Sequence, residues 1–445
     1  MDTGKTAAFL TLGCKVNSYE TDAMQKLFED SGYRIVDFAE HADIYVVNTC
    51  TVTNIADRKS RQMLHKARKM NKNAVVVAVG CYVQAAGDVL EQDGSVDIVI
   101  GNNKKKDIIQ ILDEYYEQNG IVKNAILDIG KEAGYEALSI DSVSEKTRAY
   151  IKIQDGCNQF CSYCIIPYAR GRVRSRAEKE VFREVELLVG KGYKEIVLTG
   201  IHLSSYGIDF EGNTDKQPHL LKLIVGLSTI DGLERIRLGS LEPGIITEKF
   251  AKTLSGNRKI CPHFHLSLQS GCDETLKRMN RRYTSGEYYE KCVLLRRYFD
   301  KPAITTDVIA GFPGETREEF DETVDFLKKV AFAQMHIFKY SARKGTKAQA
   351  MSGQVTEAVK AERSELLLAL EAEMRKEYQA SFIGKTEKIL IEEHITVEGR
   401  DYQVGHNERY LKLAVESEEE LGNRITAGTV TGYLTKEIMF CEIMD

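Results

Sequence analysis

The chain has 445 residues, of which 43% are hydrophobic, 29% are charged and only six are proline. At roughly 100–200 residues per domain this length implies about two to four domains, and the composition excludes a collagenous or largely disordered chain. The formal charge of −5, from 61 basic and 66 acidic residues, excludes a global positive field, so any nucleic-acid contact has to come from a local patch.

The first stretch, residues 1–120, alternates strand-like and helix-like patterns. Ala7 to Gly13 is an apolar run that meets Cys14, and a helical pattern follows from Tyr19 to Ser31. Asp43 to Thr49 is a second run ending at Cys50, with a polar helix expected from about Ile55 to Met70. Ala74 to Gly80 is a third, ending at Cys81, and Val96 to Ile100 a fourth. Apolar strands alternating with helices predict an α/β, doubly wound parallel sheet. Residues 121–146 are weakly patterned and polar, and read as a linker.

A second β/α series occupies residues 147–376, with strands expected at Tyr150–Ile153, Glu195–Leu198, Arg235–Leu238, His263–Leu268, Ala303–Ile309 and Gln334–Phe338. Such a series predicts a partial, open (βα)6 barrel. A long charged helix runs from about Thr356 to Gln379, overlapping the start of the last region, residues 377–445. That region alternates at Lys388–Ile391, Tyr410–Val415, Thr429–Leu434 and Ile438–Ile443, which predicts a small, OB-like β-barrel. No apolar run approaches the ~18–20 residues of a membrane span. The start, Met1-Asp2-Thr3-Gly4-Lys5, lacks the pattern of a secretory signal. A cytoplasmic protein without membrane contact, acting as a monomer, is expected.

Ten cysteines in a chain of this length suggest metal or redox chemistry rather than a disulfide framework. Cys157, Cys161 and Cys164 form a CxxxCxxC triplet just after the first strand of the second series. Three thiolates on one loop can hold three irons of a 4Fe–4S cluster and leave the fourth iron open. A structural zinc site wants a fourth closed ligand, and the next histidine or cysteine is His202. Cys14, Cys50 and Cys81 are far apart in sequence but each closes an apolar strand. Parallel strands present their carboxyl ends along one edge, so these thiols can converge as a second three-ligand set. Cys261, Cys272, Cys292 and Cys441 lack such placement; the helical and strand patterns around Cys292 and Cys441 mark those two as packing residues.

The triplet, with the aromatic Tyr163 before its last cysteine, resembles the radical S-adenosylmethionine superfamily. Two three-cysteine sets in this order resemble its methylthiotransferase family over essentially the whole chain. Matching segments include Thr11-Leu12-Gly13-Cys14-Lys15-Val16-Asn17, Ile165-Ile166-Pro167-Tyr168-Ala169-Arg170-Gly171, His265-Leu266-Ser267-Leu268-Gln269 and Gly311-Phe312-Pro313-Gly314-Glu315-Thr316. The resemblance implies an auxiliary-cluster domain, a radical barrel and a carboxy-terminal TRAM domain. It also implies two 4Fe–4S clusters, on Cys14, Cys50 and Cys81 and on Cys157, Cys161 and Cys164, with S-adenosylmethionine used both as methyl donor and as radical source. Tyr163, Thr199, Gly200, Glu242, Gln269 and Asp307 are the candidate cofactor contacts, several of them at strand ends where barrel sites are built. Thr199-Gly200-Ile201-His202 departs from the family's commonest glycine-glycine-glutamate form.

Within the family, Ile165 to Arg170 and Thr199 to Gly207 look most like the MtaB branch. That branch adds a methylthio group to C2 of N6-threonylcarbamoyladenosine at position 37 of tRNA, beside the anticodon. Its adenine C2–H is unactivated, so a carbon radical rather than a side-chain base has to remove the hydrogen. The expected partners are a tRNA anticodon arm, a flavodoxin- or ferredoxin-like reductant and a sulfur source. Arg170, Arg172, Arg174 and Arg176 alternate after the cluster loop and would share one side of an extended segment. Together with Arg58, Arg61 and neighbouring bases after Cys50, they are the candidate RNA contacts. The last region holds more acids than bases, with only Lys385, Lys388, Arg409, Tyr410 and Lys412 as a narrow candidate RNA face. The alternatives are isopentenyladenosine of tRNA, an aspartate of a ribosomal protein, or a non-catalytic iron–sulfur RNA-binding or redox-sensing protein.

Overall fold

A computed structural model describes residues 4–118, 120–121, 123–132, 134–140, 147–215 and 217–443. Six parallel strands, β1 (Thr6–Thr11), β2 (Arg34–Val36), β3 (Ile44–Thr49), β4 (Val75–Gly80), β5 (Ile98–Ile100) and β6 (Lys123–Ala125), form the first sheet in the order β2-β1-β3-β4-β5-β6. Every residue of β3 and β4 is buried, as near-continuous apolar runs require when helices cover both faces. Helices α2 (Asn54–Met70) and α3 (Cys81–Glu91) bury Leu64, Val83 and Leu90 on one face. Helix α1 (Lys15–Asp30) and the helix Ile108–Glu117 bury Met24, Phe28, Ile108 and Leu112 on the other. The sheet is doubly wound.

The stretch read as a linker contributes more than a connection. It supplies β6, and Ile129, Leu138 and Ile140 are buried. Its polar composition hides this, because two apolar side chains suffice to stitch it to the second domain. Leu138 and Ile140 join that domain's core, and the Ile140 amide donates to Glu184 at 2.7 Å.

The second domain is an open arc of parallel strands: β7 (Arg148–Asp155), β9 (Glu195–Gly200), β10 (Arg235–Leu238), β11 (His263–His265), β12 (Ala303–Ala310) and β13 (Gln334–Lys339). A short strand, β8 (Arg174–Ser175), pairs antiparallel with β7. Single bridges at Ile236–Ile260 and Leu241–Leu266 carry the arc from β10 to β11. Side chains alternate along each strand. Ile151, Ile153, Ile196, Leu198, Ile236 and Leu238 share one core with Val181, Val185 and Leu223 of the surrounding helices. The other parity faces the concave side and is polar, with Arg148, Lys152, Gln154, Glu195, Arg237, His263, His265 and Asp307 among it.

The last region folds as a closed five-stranded barrel of β14 (Thr386–Val397), β15 (Arg400–His406), β16 (Lys412–Val415), β17 (Ile425–Tyr433) and β18 (Met439–Ile443). Four strands were expected. The missing one is β15, whose Arg-Asp-Tyr-Gln-Val-Gly-His run alternates too weakly to stand out. It is joined to β14 by Glu398 and Gly399, which both have positive φ (51° and 80°), as a tight two-residue hairpin turn demands. This barrel docks where the arc's strands begin. Arg235 donates to the Lys388 carbonyl at 2.8 Å, Arg237 donates to that of Asn407 at 3.1 Å, and Arg148 pairs with Glu392 at 3.2 Å. Tyr410 stacks on His406 with ring centres 4.4 Å apart and lies 5.3 Å from His263. Among the described residues no helix is long and apolar enough to cross a membrane.

Candidate active site

The auxiliary cysteines stand on three adjacent strands. Thr11 pairs with Asn48 and Thr49 with Gly80, so continuing the register brings Gly13, Cys50 and Cys81 level, with Cys14 one residue beyond. Gly13 has a φ of 107°, and a Cβ there would lie 3.1 Å from the Cys50 sulfur. Only a glycine lets β1 turn that close to the thiol. Cys14 is exposed, while Cys50 and Cys81 are buried. Burial pushes the Cys50 thiol up to about 11.

The other triplet sits on one loop, folded by local means. Gly156 has a φ of 70°, and a Cβ there would meet the Arg172 carbonyl at 1.8 Å, so that position has to be glycine. Phe160 also turns left-handed at φ 51°. The Ser162 amide donates to the Met279 carbonyl at 3.0 Å, and its hydroxyl donates to that of Arg278 at 2.8 Å. Burial pushes the Cys157 and Cys164 thiols up to about 12. As free thiols these groups stay protonated near neutral pH, and metal binding would displace the protons.

Arg281, which sequence reading missed, lies against the cysteine loop. It donates to the Cys161 sulfur at 3.2 Å and to both Glu242 carboxylate oxygens, at 2.7 and 2.8 Å. Glu242 is thus held beside the cluster loop. His202 lies 3.8 Å from Glu242 and is kept on the neutral side mainly by burial, against the pull of that carboxylate. Thr199 is buried at the end of β9, and Gly200 packs on Gln154, whose side-chain oxygen accepts from the His202 amide at 2.7 Å. Tyr163 lies edge-on to Phe312 with ring centres 6.4 Å apart. Gln269 holds a left-handed φ of 75° while its backbone bonds Asp307 and Ile309 of β12. A non-glycine residue held in that region stores strain of the kind found at functional sites. The Asp307 carboxylate itself lies 3.3 Å from His265.

The expectation for the four arginines fails for three of them. Arg170, Arg174 and Arg176 are 0%, 1% and 4% exposed, so they cannot meet phosphates on the surface. The segment is not extended throughout: Ile166–Arg170 is a short helix, and Gly171 reverses the chain at φ 70°. Arg170 instead donates to the Cys81 sulfur at 3.1 Å, to Asn17 at 2.7 Å, to Glu20 at 2.9 Å and to Asp155 at 3.1 Å. Lys152 joins Glu20 and Asp155, each at 2.6 Å, and Lys105 joins Glu20 at 3.1 Å. Burial alone would raise both acids, but these cations hold Glu20 and Asp155 well below the usual carboxylate range. Arg170 thus sets a guanidinium directly against the Cys81 sulfur. Arg176 pairs with Glu184 at 2.5 Å.

Arg172 is exposed and stacks over Phe160 at 4.4 Å. Arg58 is also exposed, and exposed Arg61 donates to the Tyr82 hydroxyl at 2.7 Å. In the last region Arg409 donates to backbone carbonyls of Asp300 and Lys301, and Tyr410 is packed against the arc. Those two turn toward the second domain and leave the expected RNA face. Beside Cys50, Arg343 pairs with Asp57 at 2.6 Å and donates to Thr51 at 2.7 Å.

Comparison with known proteins identifies the family. The Radical SAM superfamily matches residues 151–327, and an uncharacterized protein family, UPF0004, matches residues 6–101. Threonylcarbamoyladenosine tRNA methylthiotransferase MtaB of Bacillus subtilis (strain 168) is 40% identical over 444 residues, spanning 99% of this chain and 97% of that protein. The chain belongs to the methylthiotransferase family of radical S-adenosylmethionine enzymes. The MtaB of Aquifex aeolicus (strain VF5) is 40% identical over 94% of this chain and 98% of its own. A tRNA-2-methylthio-N(6)-dimethylallyladenosine synthase of Pelotomaculum thermopropionicum is 31% identical over 96% of this chain and 95% of its own. Among solved structures, the radical S-adenosylmethionine methyltransferase TsrM of Kitasatospora setae shares the fold. Its TM-score is 0.56 at 17% identity, covering 78% of this chain and 74% of that one.

This methylthiotransferase is therefore a transferase whose cofactors are 4Fe–4S clusters and S-adenosylmethionine. Its residues fit them. Each set offers three soft sulfur donors, the donor number that leaves one iron open.

Proposed function

We propose that this methylthiotransferase adds a methylthio group to C2 of N6-threonylcarbamoyladenosine at position 37 of tRNA. The observation that supports this most is identity of 36–40% to three proteins named MtaB, along 94–99% of this chain. In this reading Cys157, Cys161 and Cys164 hold the radical cluster, and Cys14, Cys50 and Cys81 hold the auxiliary one. When bound, these groups and S-adenosylmethionine supply an adenosyl radical and a methylthio group. The chain itself positions and shields. Arg281 orients the Cys161 sulfur and Glu242 together. Arg170 ties the auxiliary ligand Cys81 to Asp155, next to the radical loop, so the two sites keep one mutual placement, which two-centre chemistry requires.

Tyr163, Thr199, Gly200, Glu242, Gln269 and Asp307 would line the S-adenosylmethionine site. With three arginines buried, the tRNA footprint moves to exposed bases: Arg172 beside the cluster loop, and Arg58, Lys59, Lys66 and Lys69 on α2, the helix behind Cys50. The five-stranded barrel would act as a TRAM domain, offering Lys385 and Lys388. A low-potential flavodoxin- or ferredoxin-like protein and an external sulfur source complete the reaction. Mass spectrometry of tRNA nucleosides from a deletion strain and its complemented control tests the assignment. The methylthiolated threonylcarbamoyl nucleoside should vanish and return; loss of the methylthiolated dimethylallyl nucleoside instead would contradict it.

A further inference from the structure

Lys15 begins α1, directly after Cys14, and faces the polar side of the arc. Its ammonium lies 5.8 Å from the Tyr410 ring. Arg237, Arg148 and Glu195 act on it from β10, β7 and β9, and its own charge is felt at His263 and His336. The acids around it are engaged. Glu195 holds Arg237 at 2.7 Å and Arg235 at 3.6 Å, Glu392 holds Arg148, and Asp307 faces His265. Among the described residues Lys15 has no hydrogen bond or ion pair, although it is half-buried among like charges.

A cation half-withdrawn from water beside other cations, with Glu195 already committed to Arg237 and Arg235, is unfavourable until another anion arrives. Enzymes that act on a base take it out of the stack into a pocket. The base and its N6 substituent would enter here, while the backbone phosphates stay at the rim. A threonylcarbamoyl group carries a carboxylate at the far end of the N6 substituent; a dimethylallyl group carries no charge. We infer that Lys15 is a specificity-determining residue that pairs with the carboxylate of the threonylcarbamoyl group. This rests on the substrate reading above. It also explains why the lysine sits next to an auxiliary ligand: C2 has to approach that same corner of the sheet edge.

The test compares the reconstituted wild-type enzyme with Lys15→Met and Lys15→Arg on three anticodon stem-loops. One bears threonylcarbamoyladenosine, one its carboxylate methyl ester and one dimethylallyladenosine. Binding is read by fluorescence anisotropy, turnover by nucleoside mass spectrometry and loading by iron content. Removing a charged hydrogen bond costs about 1.5–3 kcal/mol, roughly ten- to a hundredfold in affinity. Wild type should lose that factor on the ester. Lys15→Met should lose it on the acid and no longer distinguish acid from ester, the non-additivity expected of a direct contact. Lys15→Arg should recover most of the binding. Equal binding of acid and ester by wild type would overturn the inference whatever the variants do. So would equal loss on acid and ester in Lys15→Met. Turnover of the dimethylallyl stem-loop alone by wild type would instead sink the substrate reading.

Discussion

The two cysteine sets reach the same donor number by opposite routes. Cys157, Cys161 and Cys164 share one loop, and its shape depends on neighbours such as Gly156 and Phe160 and on backbone contacts of Ser162. Cys14, Cys50 and Cys81 come to one edge only because β1, β3 and β4 pair in register and each ends there. The auxiliary set is also held from outside its own domain, by Arg170 at Cys81 and by Arg343 at the loop after Cys50. A local site tolerates loosening of the domain contacts; a dispersed one should not.

The largest effect is expected from the local set. Replacing Cys157, Cys161 and Cys164 by alanine should remove one cluster and all 5′-deoxyadenosine formation, measured by iron content and chromatography. Next is Arg170→Met. Losing one partner of a buried ion pair costs about 3–5 kcal/mol, so urea unfolding should show a large loss and auxiliary loading should fall first. Its acid response is equally specific. Glu20 and Asp155 have folded values below their ordinary 4.5 and 3.8. Their contribution is complete above those ordinary values and is lost as pH falls toward the folded ones. Arg170→Met should flatten that acid-limb dependence, and an unchanged pH profile of unfolding would count against the network.

Arg343→Ala should be milder, about 1–3 kcal/mol, and should lower methylthiolation while leaving reductive cleavage of S-adenosylmethionine intact. If both activities fall together, the contact serves the whole molecule and not the auxiliary set. Arg172→Gln should be smallest in stability, within about 0.5 kcal/mol. It should lower the salt slope of tRNA binding by roughly one; an unchanged slope would confine the footprint to α2 and the carboxy-terminal barrel.

Strand runs such as Val75–Gly80 and the cysteines at their ends were legible because burial on both faces leaves a continuous apolar signal. β6 and β15 were not, being short or weakly alternating segments recruited by neighbours already in place. The arginines after the cluster loop looked like a surface stripe because their partner Glu20 lies far earlier in the chain. Arg281 carried no local motif either; its role depends on Cys161 and Glu242 reaching it from other loops. Charged residues declare their burial only through partners, and those partners are set by the fold.

The comparison turns on whether the two sets divide the chemistry. The direct measurement is one reaction of the Cys14, Cys50 and Cys81 triple-alanine variant with reductant, S-adenosylmethionine and tRNA bearing threonylcarbamoyladenosine. Both 5′-deoxyadenosine and the methylthiolated nucleoside are quantified in the same sample. The expected result is 5′-deoxyadenosine without methylthiolated nucleoside. Methylthiolated product at the wild-type level would contradict it.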